Sequence, residues 1–369
     1  MFILFQKNDE KARMWSQALH ARGVRACGLD GSPIMMPVKL AGVILRHGRP
    51  SAFFFRYLND YPGIIRTLLR AVAELSVLLI CKLARIQVCW ICHNVDRESV
   101  EAYPRITRFR RRVLAASAQK IYVMDALLIP HAQKILHRWS DRLDFLTFGE
   151  PEPRVLSPRD REQNARVLEF CSACRSAVRP GRRVLIGLCV GNVEGAKYAH
   201  FEAVPALIAA ASDLGVDLFM VVAGDLERSS AVSRSLLGKL ESHPNVLFFP
   251  SEFVVDERKL AGQIDFLWRG YRDLSVAYTL YVGAAARLPV LALSMGFVGE
   301  AVEFYGLGAT VKSDFSDLGA ALARLTRWNS DCCTEFLATH SWEIAADRIL
   351  ANLKRESRAA KSLWEVGGS

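Results

Sequence analysis

The sequence predicts an α/β fold built as two doubly wound, parallel-sheet units in tandem, and three observations predict it. Short apolar runs alternate with longer segments of helical period through both halves, the pattern that yields parallel sheets covered by helices. The chain has 369 residues, which at about 150 residues per domain suggests two compact units. A stretch rich in proline and charge, residues 150–183, separates two series that each begin with a strand. Hydrophobic residues make up 51% and charged residues 23%, so enough apolar side chain is available to bury, and disorder as the dominant state is excluded.

The first series reads Phe2 to Phe5 as a strand, Lys7 to Asp9 as a polar loop, and Glu10 to Arg22 as a helix stopped by Gly23. Ala52 to Phe55 and Val88 to Cys92 are further strands, with a helix from Ile64 to Arg85 crossing between them. Lys120 to Met124 and Asp144 to Leu146 complete this unit, which spans 1–165. Residues 166–182 are expected to be a linker. From 183 to 341 the pattern starts afresh. Strands are expected at Val184 to Val190, Asp217 to Ala223, Asn245 to Phe249, Ile264 to Trp268 and Val290 to Leu293. Helices are expected at Phe201 to Leu214, Ser230 to Glu241, Lys259 to Gln263 and Tyr278 to Ala286. Open α/β sheets bind ligands at the carboxyl ends of their strands, so two such sheets facing each other predict a site in the cleft between them.

Charge divides the chain unevenly. Residues 1–180 hold 29 Lys and Arg against 16 Asp and Glu, and residues 181–369 hold 19 against 22. A basic first half points to an anionic partner such as a membrane surface, or to a solvated basic face. Arg105, Arg108, Arg110, Arg111 and Arg112 concentrate that charge and suit anionic lipid headgroups or a pyrophosphate-bearing acceptor. No nucleic-acid module accompanies them, so nucleic acid is not the expected partner. The most apolar stretch, Ala71 to Cys81, contains Glu74 and is too short to cross a bilayer; it reads as a buried or surface-docked helix. Nine cysteines and an N-terminus interrupted at once by Lys7, Asp9 and Glu10 favour a reducing cytoplasm.

Candidate chemistry lies at strand ends. His93, Asn94, Asp96 and Glu98 follow an apolar strand and offer a proton acceptor and several hydrogen-bond partners for a polyol, or a helix cap. Gly191 to Lys197 forms a glycine-containing turn where backbone can approach an anion and Lys197 can neutralise a diphosphate. The stretch from Ile264 to Val311 brings Arg269, Arg272, Ser275 and Thr279 to a strand-to-helix loop, with Glu300 on the next loop: hydroxyls and amides for phosphate, a carboxylate for sugar hydroxyls. Phe249 at a strand end is a candidate for nucleobase recognition or a core phenylalanine. Cys171-Ser-Ala-Cys174 has no second pair and reads as structural, so no metal site is expected.

These stretches resemble the GT-B superfamily of nucleotide-sugar glycosyltransferases, and most closely the family 4 type of bacterial polysaccharide assembly. Trp90 to Asn94 resembles its W-x-x-H-N stretch, and Gly191 to Lys197 its diphosphate turn. Ala223-Gly224-Asp225, Leu288-Pro289-Val290 and Gly299-Glu300 resemble later strand ends, and Trp342 stands where members return a C-terminal helix (342–369) to the first domain. The chain departs from the family at three places: Leu274 and Val282 replace a pair of glutamates, and Asn192 replaces an arginine. The resemblance implies a GT-B fold of two Rossmann-like domains facing across a cleft. It implies a metal-independent hexosyltransferase without a cofactor, peripheral to the cytoplasmic face of a membrane. Its donor would be a nucleoside-diphosphate sugar and its acceptor a saccharide or lipid-linked saccharide in exopolysaccharide or cell-surface glycan synthesis. His93, Asp96, Glu98 and Glu300 would be catalytic. Gly191, Asn192, Lys197, Phe249, Arg269, Arg272, Ser275 and Thr279 would hold the donor, and Arg105, Arg108, Arg111 and Arg112 would face acceptor or membrane. The departures also allow a catalytically silent subunit, and a sugar epimerase or phosphorylase on the same fold is the other class.

Overall fold

The computed structural model describes residues 1–98, 100–153, 155–191, 198–224, 231–251 and 253–366. The chain divides into two compact units, Met1–Gly149 with Thr339–Ser369, and Glu150–Ala338. The first holds six parallel strands: β1 (Phe2–Phe5), β2 (Arg25–Gly28), β3 (Ala52–Phe55), β4 (Gln87–Cys92), β5 (Lys120–Val123) and β6 (Leu143–Phe145), in the order β2-β1-β3-β4-β5-β6. Between them run α1 (Glu10–His20), α2 (Met36–His47), α3 (Ile64–Leu83), α4 (Pro104–Ser117) and α5 (Leu128–Ile135). Successive strand side chains point to opposite faces. Phe53 and Phe55 therefore join Val77 and Cys81 of α3 in one core layer, while Phe5 and Phe54 meet at a tilt on the other face, where Trp15 of α1 stacks on Phe5 at 5.9 Å. Burial on both faces explains why these strands read as continuous apolar runs.

The second unit opens with α6 (Pro158–Ser176) and continues β7 (Arg183–Val190), α7 (Tyr198–Glu202), α8 (Val204–Asp213), β8 (Val216–Ala223), α9 (Ala231–Glu241), β9 (Val246–Phe249) and α10 (Glu257–Leu260). It closes with β10 (Phe266–Arg269), α11 (Thr279–Ala286), β11 (Val290–Leu293), α12 (Gly296–Tyr305), β12 (Gly308–Val311), α13 (Leu318–Thr326) and α14 (Asp331–Thr339). Its parallel sheet runs β12-β11-β10-β7-β8-β9. In each sheet the strand order reverses once, between β1 and β3 in the first unit and between β7 and β10 in the second. Such reversals leave a crevice at the carboxyl ends of the two strands, where ligands of open sheets sit.

Two expectations are corrected here. Residues 166–182 are not a linker: most of them continue α6, which starts with a Ser157–Asp160 capping box and Pro158 in its first turn. Val167, Cys171 and Cys174 are buried, and burial pushes both thiols up to about 11. The unit boundary lies instead at Gly149, where an added Cβ would come within 2.4 Å of Trp342. Trp342 begins α15 (Trp342–Val366), which packs on α1 and belongs to the first unit. Its ring meets Trp15 edge-on at 5.7 Å, and Asn352 Nδ2 donates to Tyr122 Oη and to Asp144.

Candidate functional site

At the reversal in the first sheet, β1 exits into Gln6 and Asp9, β3 into Arg56 and Tyr57, and β4 into His93. Gln6 ties the first two exits together: its Oε1 accepts from the Arg56 and Tyr57 amides at 2.6 and 2.9 Å, and its Nε2 donates to Tyr57 O. The guanidinium of Arg56, whose residue is 1% exposed, lies over the Trp15 and Tyr57 rings. Its Nη1 donates to Asp9 Oδ1 at 2.5 Å, its Nη2 to Tyr57 Oη at 2.9 Å, and its Nε to His93 Nε2 at 3.4 Å. Arginine always carries its proton, so His93 Nε2 must be the acceptor and neutral His93 holds its proton on Nδ1. The imidazole stacks on Tyr57 at 4.6 Å. Burial first, then the cations of Arg56 and Lys11, hold His93 well below its usual 6.5. Burial would raise Asp9, but the Arg56 guanidinium and the Ala12 amide it caps outweigh that and lower it. Burial pushes Tyr57 up to about 12. The cluster sets a neutral imidazole among a buried cation, a carboxylate and aromatic rings at the strand ends.

Beyond His93 the two acidic candidates part. Asp96 is exposed, with Oδ1 accepting from the Arg97 amide. Glu98 is buried and paired with Arg111 (Nη1 to Oε1, 2.5 Å), and its Oε2 accepts from the Leu58 amide. Burial raises its pKa against the pull of Arg111. Arg111 also donates to Asn94 O and Val95 O. Both residues are thus corrected from site to scaffold: Glu98 is not open to a substrate, and Arg111 is not on the surface. The physical reason is helical phase. At 3.6 residues per turn, α4 turns Arg110 and Arg111 inward and leaves Arg105, Arg108 and Arg112 exposed. Arg110 makes a two-point bond to Glu74 and a third to Asp60 at 2.8 Å.

At the reversal in the second sheet, Arg269 ends β10 and is 4% exposed. Beside it stands His200 of α7. The Gly270 amide donates to His200 Nδ1 at 2.9 Å, so the neutral ring carries its proton on Nε2. That nitrogen points at Cys189 Sγ, 3.1 Å away at the end of β7; burial pushes the thiol up to about 12 against the opposing influence of Arg269. Arg269 Nη1 lies 3.2 Å from the same Nε2, a meeting of two donors, and its hydrogen bond goes to Trp268 O at 2.9 Å. Arg269 Nε, although buried, has no partner among the described residues. Gly270 allows this packing, since a Cβ there would approach Trp268 to 2.8 Å. The following loop is folded on itself: Ser275 Oγ donates to Asp273 Oδ1 at 2.7 Å, and the Asp273 carbonyl accepts from Phe297 N in the first turn of α12.

The remaining candidates scatter. Arg272 and Glu300 are exposed and Thr279 is half-buried at the start of α11. Gly191 follows β7 directly, with its amide donating to Ala223 O. Asn192 and Lys197 lie outside the described residues. Phe249 is a core residue, 3% exposed, 4.7 Å from Phe253 and covered by the Arg166 guanidinium, which corrects its assignment to a nucleobase. Val282, where the resemblance expects a glutamate, lines a cavity of about 130 Å³ with Pro151, Val254 and the acidic Asp256 and Glu257. Sequence reasoning missed Arg56, Tyr57 and His200. A lone arginine directly after the apolar run Ala52–Phe55 was a usable signal for the first. Among the described residues no three His, Cys, Asp or Glu cluster as a metal would need.

No family model matches the sequence, and no curated protein does. Solved structures match it in fold. A sucrose-phosphate synthase from Thermosynechococcus elongatus shares 15% identity at a TM-score of 0.64, covering 97% of this chain and 99% of that one. The catalytic domain of starch synthase IV from Arabidopsis thaliana, bound to ADP and acarbose, shares 9% at 0.61, covering 96% and 98%. A UDP-GlcNAc 2-epimerase from Methanocaldococcus jannaschii shares 12% at 0.53, covering 96% and 100%. The chain therefore has the α/β fold of GT-B proteins: two Rossmann-like units, each with a six-stranded parallel sheet.

Proposed function

We propose that the chain transfers a hexose from a nucleoside-diphosphate sugar to a saccharide or lipid-linked saccharide at an anionic membrane surface. One observation carries the reading: Arg269, a buried cation at the strand-order reversal of the second sheet, has an Nε–H without a protein partner among the described residues. Leaving such a donor unmade is costly, and a charge-assisted bond to an anion relieves it. A diphosphate placed there gathers negative charge as the glycosidic bond breaks. Arg269 and Lys197 would meet that charge without a divalent ion, because a fixed cation in a dry site stabilises it strongly. His93, neutral at its strand end, would contact a sugar oxygen. Asp96, exposed three residues further along the chain, is the base if the configuration inverts, and Glu300 holds sugar hydroxyls if it is retained. The fold shared with a starch synthase domain bound to ADP supports the same reading. The replacement of both family glutamates by Leu274 and Val282 supports a second one, a silent subunit of a glycan-assembly complex.

Calorimetric titration of UDP, GDP and ADP without metal tests this. One nucleotide should bind selectively, and Arg269→Gln and Lys197→Ala should each weaken it at least about ten-fold, as loss of a charge-assisted bond requires. A folded protein that binds none of the three belongs to the second reading.

A further inference from the structure

The first unit carries an apolar surface that its own core does not use. Of the 20 residues of α3, ten are exposed: eight large aliphatic side chains, Arg66 and Lys82. Exposure reaches 59% at Val72 and 75% at Leu83. At about 100° per residue the eight aliphatic positions fall within an arc of roughly 140°, opposite Thr67, Arg70, Glu74, Val77 and Cys81, which face the core. The stripe runs the length of the helix, about 30 Å. Single exposed leucines need no explanation, but a contiguous patch of this extent marks an interaction site.

The neighbours define the partner. Helices α2 and α4, both packed on α3, contain no Asp or Glu, and the acidic residue of α3 itself, Glu74, is buried against Arg70 and Arg110. The exposed polar positions of the three helices are therefore basic or neutral, including Arg46, Arg66, Lys82, Arg105, Arg108 and Arg112. Leu45 on α2 is 86% exposed, and Phe109 stands out between Arg108 and Arg112. A groove of about 450 Å³ between α3 and α4, walled by Leu75, Leu79 and Val113 with Lys82 among its lining residues, continues the apolar surface inward. An apolar stripe flanked by cations, with no exposed carboxylate on these three helices, has the composition of a helix that lies in a bilayer interface.

We propose that the α2–α3–α4 face docks the first unit on an anionic lipid bilayer, with the aliphatic stripe of α3 inserted below the headgroups and Arg105, Arg108 and Arg112 paired with lipid phosphates. The inference gives a surface to the membrane part of the reading above and is independent of glycosyl transfer, so nucleotide binding and vesicle binding fail separately. The test is cosedimentation of the full chain with phosphatidylcholine vesicles with and without phosphatidylglycerol. Binding should need the anionic lipid. Replacing Arg105, Arg108 and Arg112 together by Gln should weaken it about a hundred-fold, at roughly five-fold per cation. Val72→Glu with Leu79→Glu, both at exposed positions that leave the core intact, should weaken it at least about ten-fold. No binding to either vesicle overturns the proposal, as does binding that neither set of variants changes. A concentration-dependent dimer in light scattering that Val72→Glu with Leu79→Glu dissolves, without vesicle binding, also overturns it and assigns the face to a second copy of the chain.

Discussion

Arg56 and Arg269 occupy equivalent places in the two sheets. Each stands at the carboxyl end of the strand just past the strand-order reversal, each is buried, and each touches an imidazole. Their surroundings are opposite. Arg56 spends its three nitrogens on Asp9, Tyr57 and His93, whereas Arg269 bonds a neighbouring carbonyl and leaves Nε unmet by the described residues. The histidines differ in the same sense: His93 accepts at Nε2, while His200 accepts at Nδ1 and donates from Nε2. One place in the fold thus supports two uses of a buried cation. In the first unit it is consumed in fixing side chains; in the second its Nε is met by none of the described residues.

The comparison breaks most sharply on stability. Arg56→Ala takes its cation from the half-buried Asp9 and its donor from His93, and since removing one partner of a fully buried ion pair costs about 3–5 kcal/mol, this loss together with the packing of the side chain should come to about 3 kcal/mol. Arg269→Ala removes a charge whose desolvation is compensated, among the described residues, by a single carbonyl bond, so its loss should cost chiefly the packing of its side chain, about 1–2 kcal/mol. Urea unfolding of both variants measures the difference. Equal losses would mean that Arg269 is a structural cation after all and would take away the argument for an anion beside it.

The acid side sharpens the contrast next. The folded pKa of His93 lies below the unfolded value near 6.5, so below about pH 6.5 the unfolded chain binds the extra proton and stability falls as pH falls. Asp9 acts in the same direction lower down. Its folded pKa is depressed, and its contribution, present above the unfolded pKa of about 3.9, is lost as pH drops through the folded one. Histidine NMR should place the His93 titration well below 6.5 and move it upward in Arg56→Gln, where one of the two repelling cations is gone. An unchanged titration in that variant would leave burial and Lys11 as the causes and limit the electrostatic role of Arg56 to Asp9.

How far these features were legible depends on the range of the contact that makes them. The strands Phe2–Phe5, Ala52–Phe55 and Val290–Leu293 read directly because parallel strands are apolar on both faces. The edge strand β2, Arg-Ala-Cys-Gly, did not, since Arg25 and Cys27 are exposed and it presents a single buried side chain. Helix α6 looked like a linker because its buried face is narrow and Pro158, a breaker elsewhere, opens it. The arginine cluster was visible as charge, but its division into two structural and three surface residues required the phase of α4. His93 was legible at its strand end. The partner that sets its tautomer lies 37 residues away, and His200 meets Gly270 across 70. No local pattern encodes either meeting.

The smallest effect concerns Cys189, the sulfur that receives the His200 proton. If the Gly270 amide fixes that ring, the thiol is a passenger: a weak acceptor, fully buried and protonated. Cys189→Ala should then cost about 1 kcal/mol from the small volume lost, and nitrogen NMR should still find His200 protonated at Nε2. Were the proton instead to move to Nδ1, Nε2 would become an acceptor and the 3.2 Å approach of Arg269 Nη1 would turn into a hydrogen bond. That bond would draw the guanidinium toward the imidazole and into the kind of self-contained cluster seen around Arg56. Nucleotide affinity in Cys189→Ala therefore reports on the comparison itself: unchanged if the amide sets the tautomer, and weakened if the sulfur does.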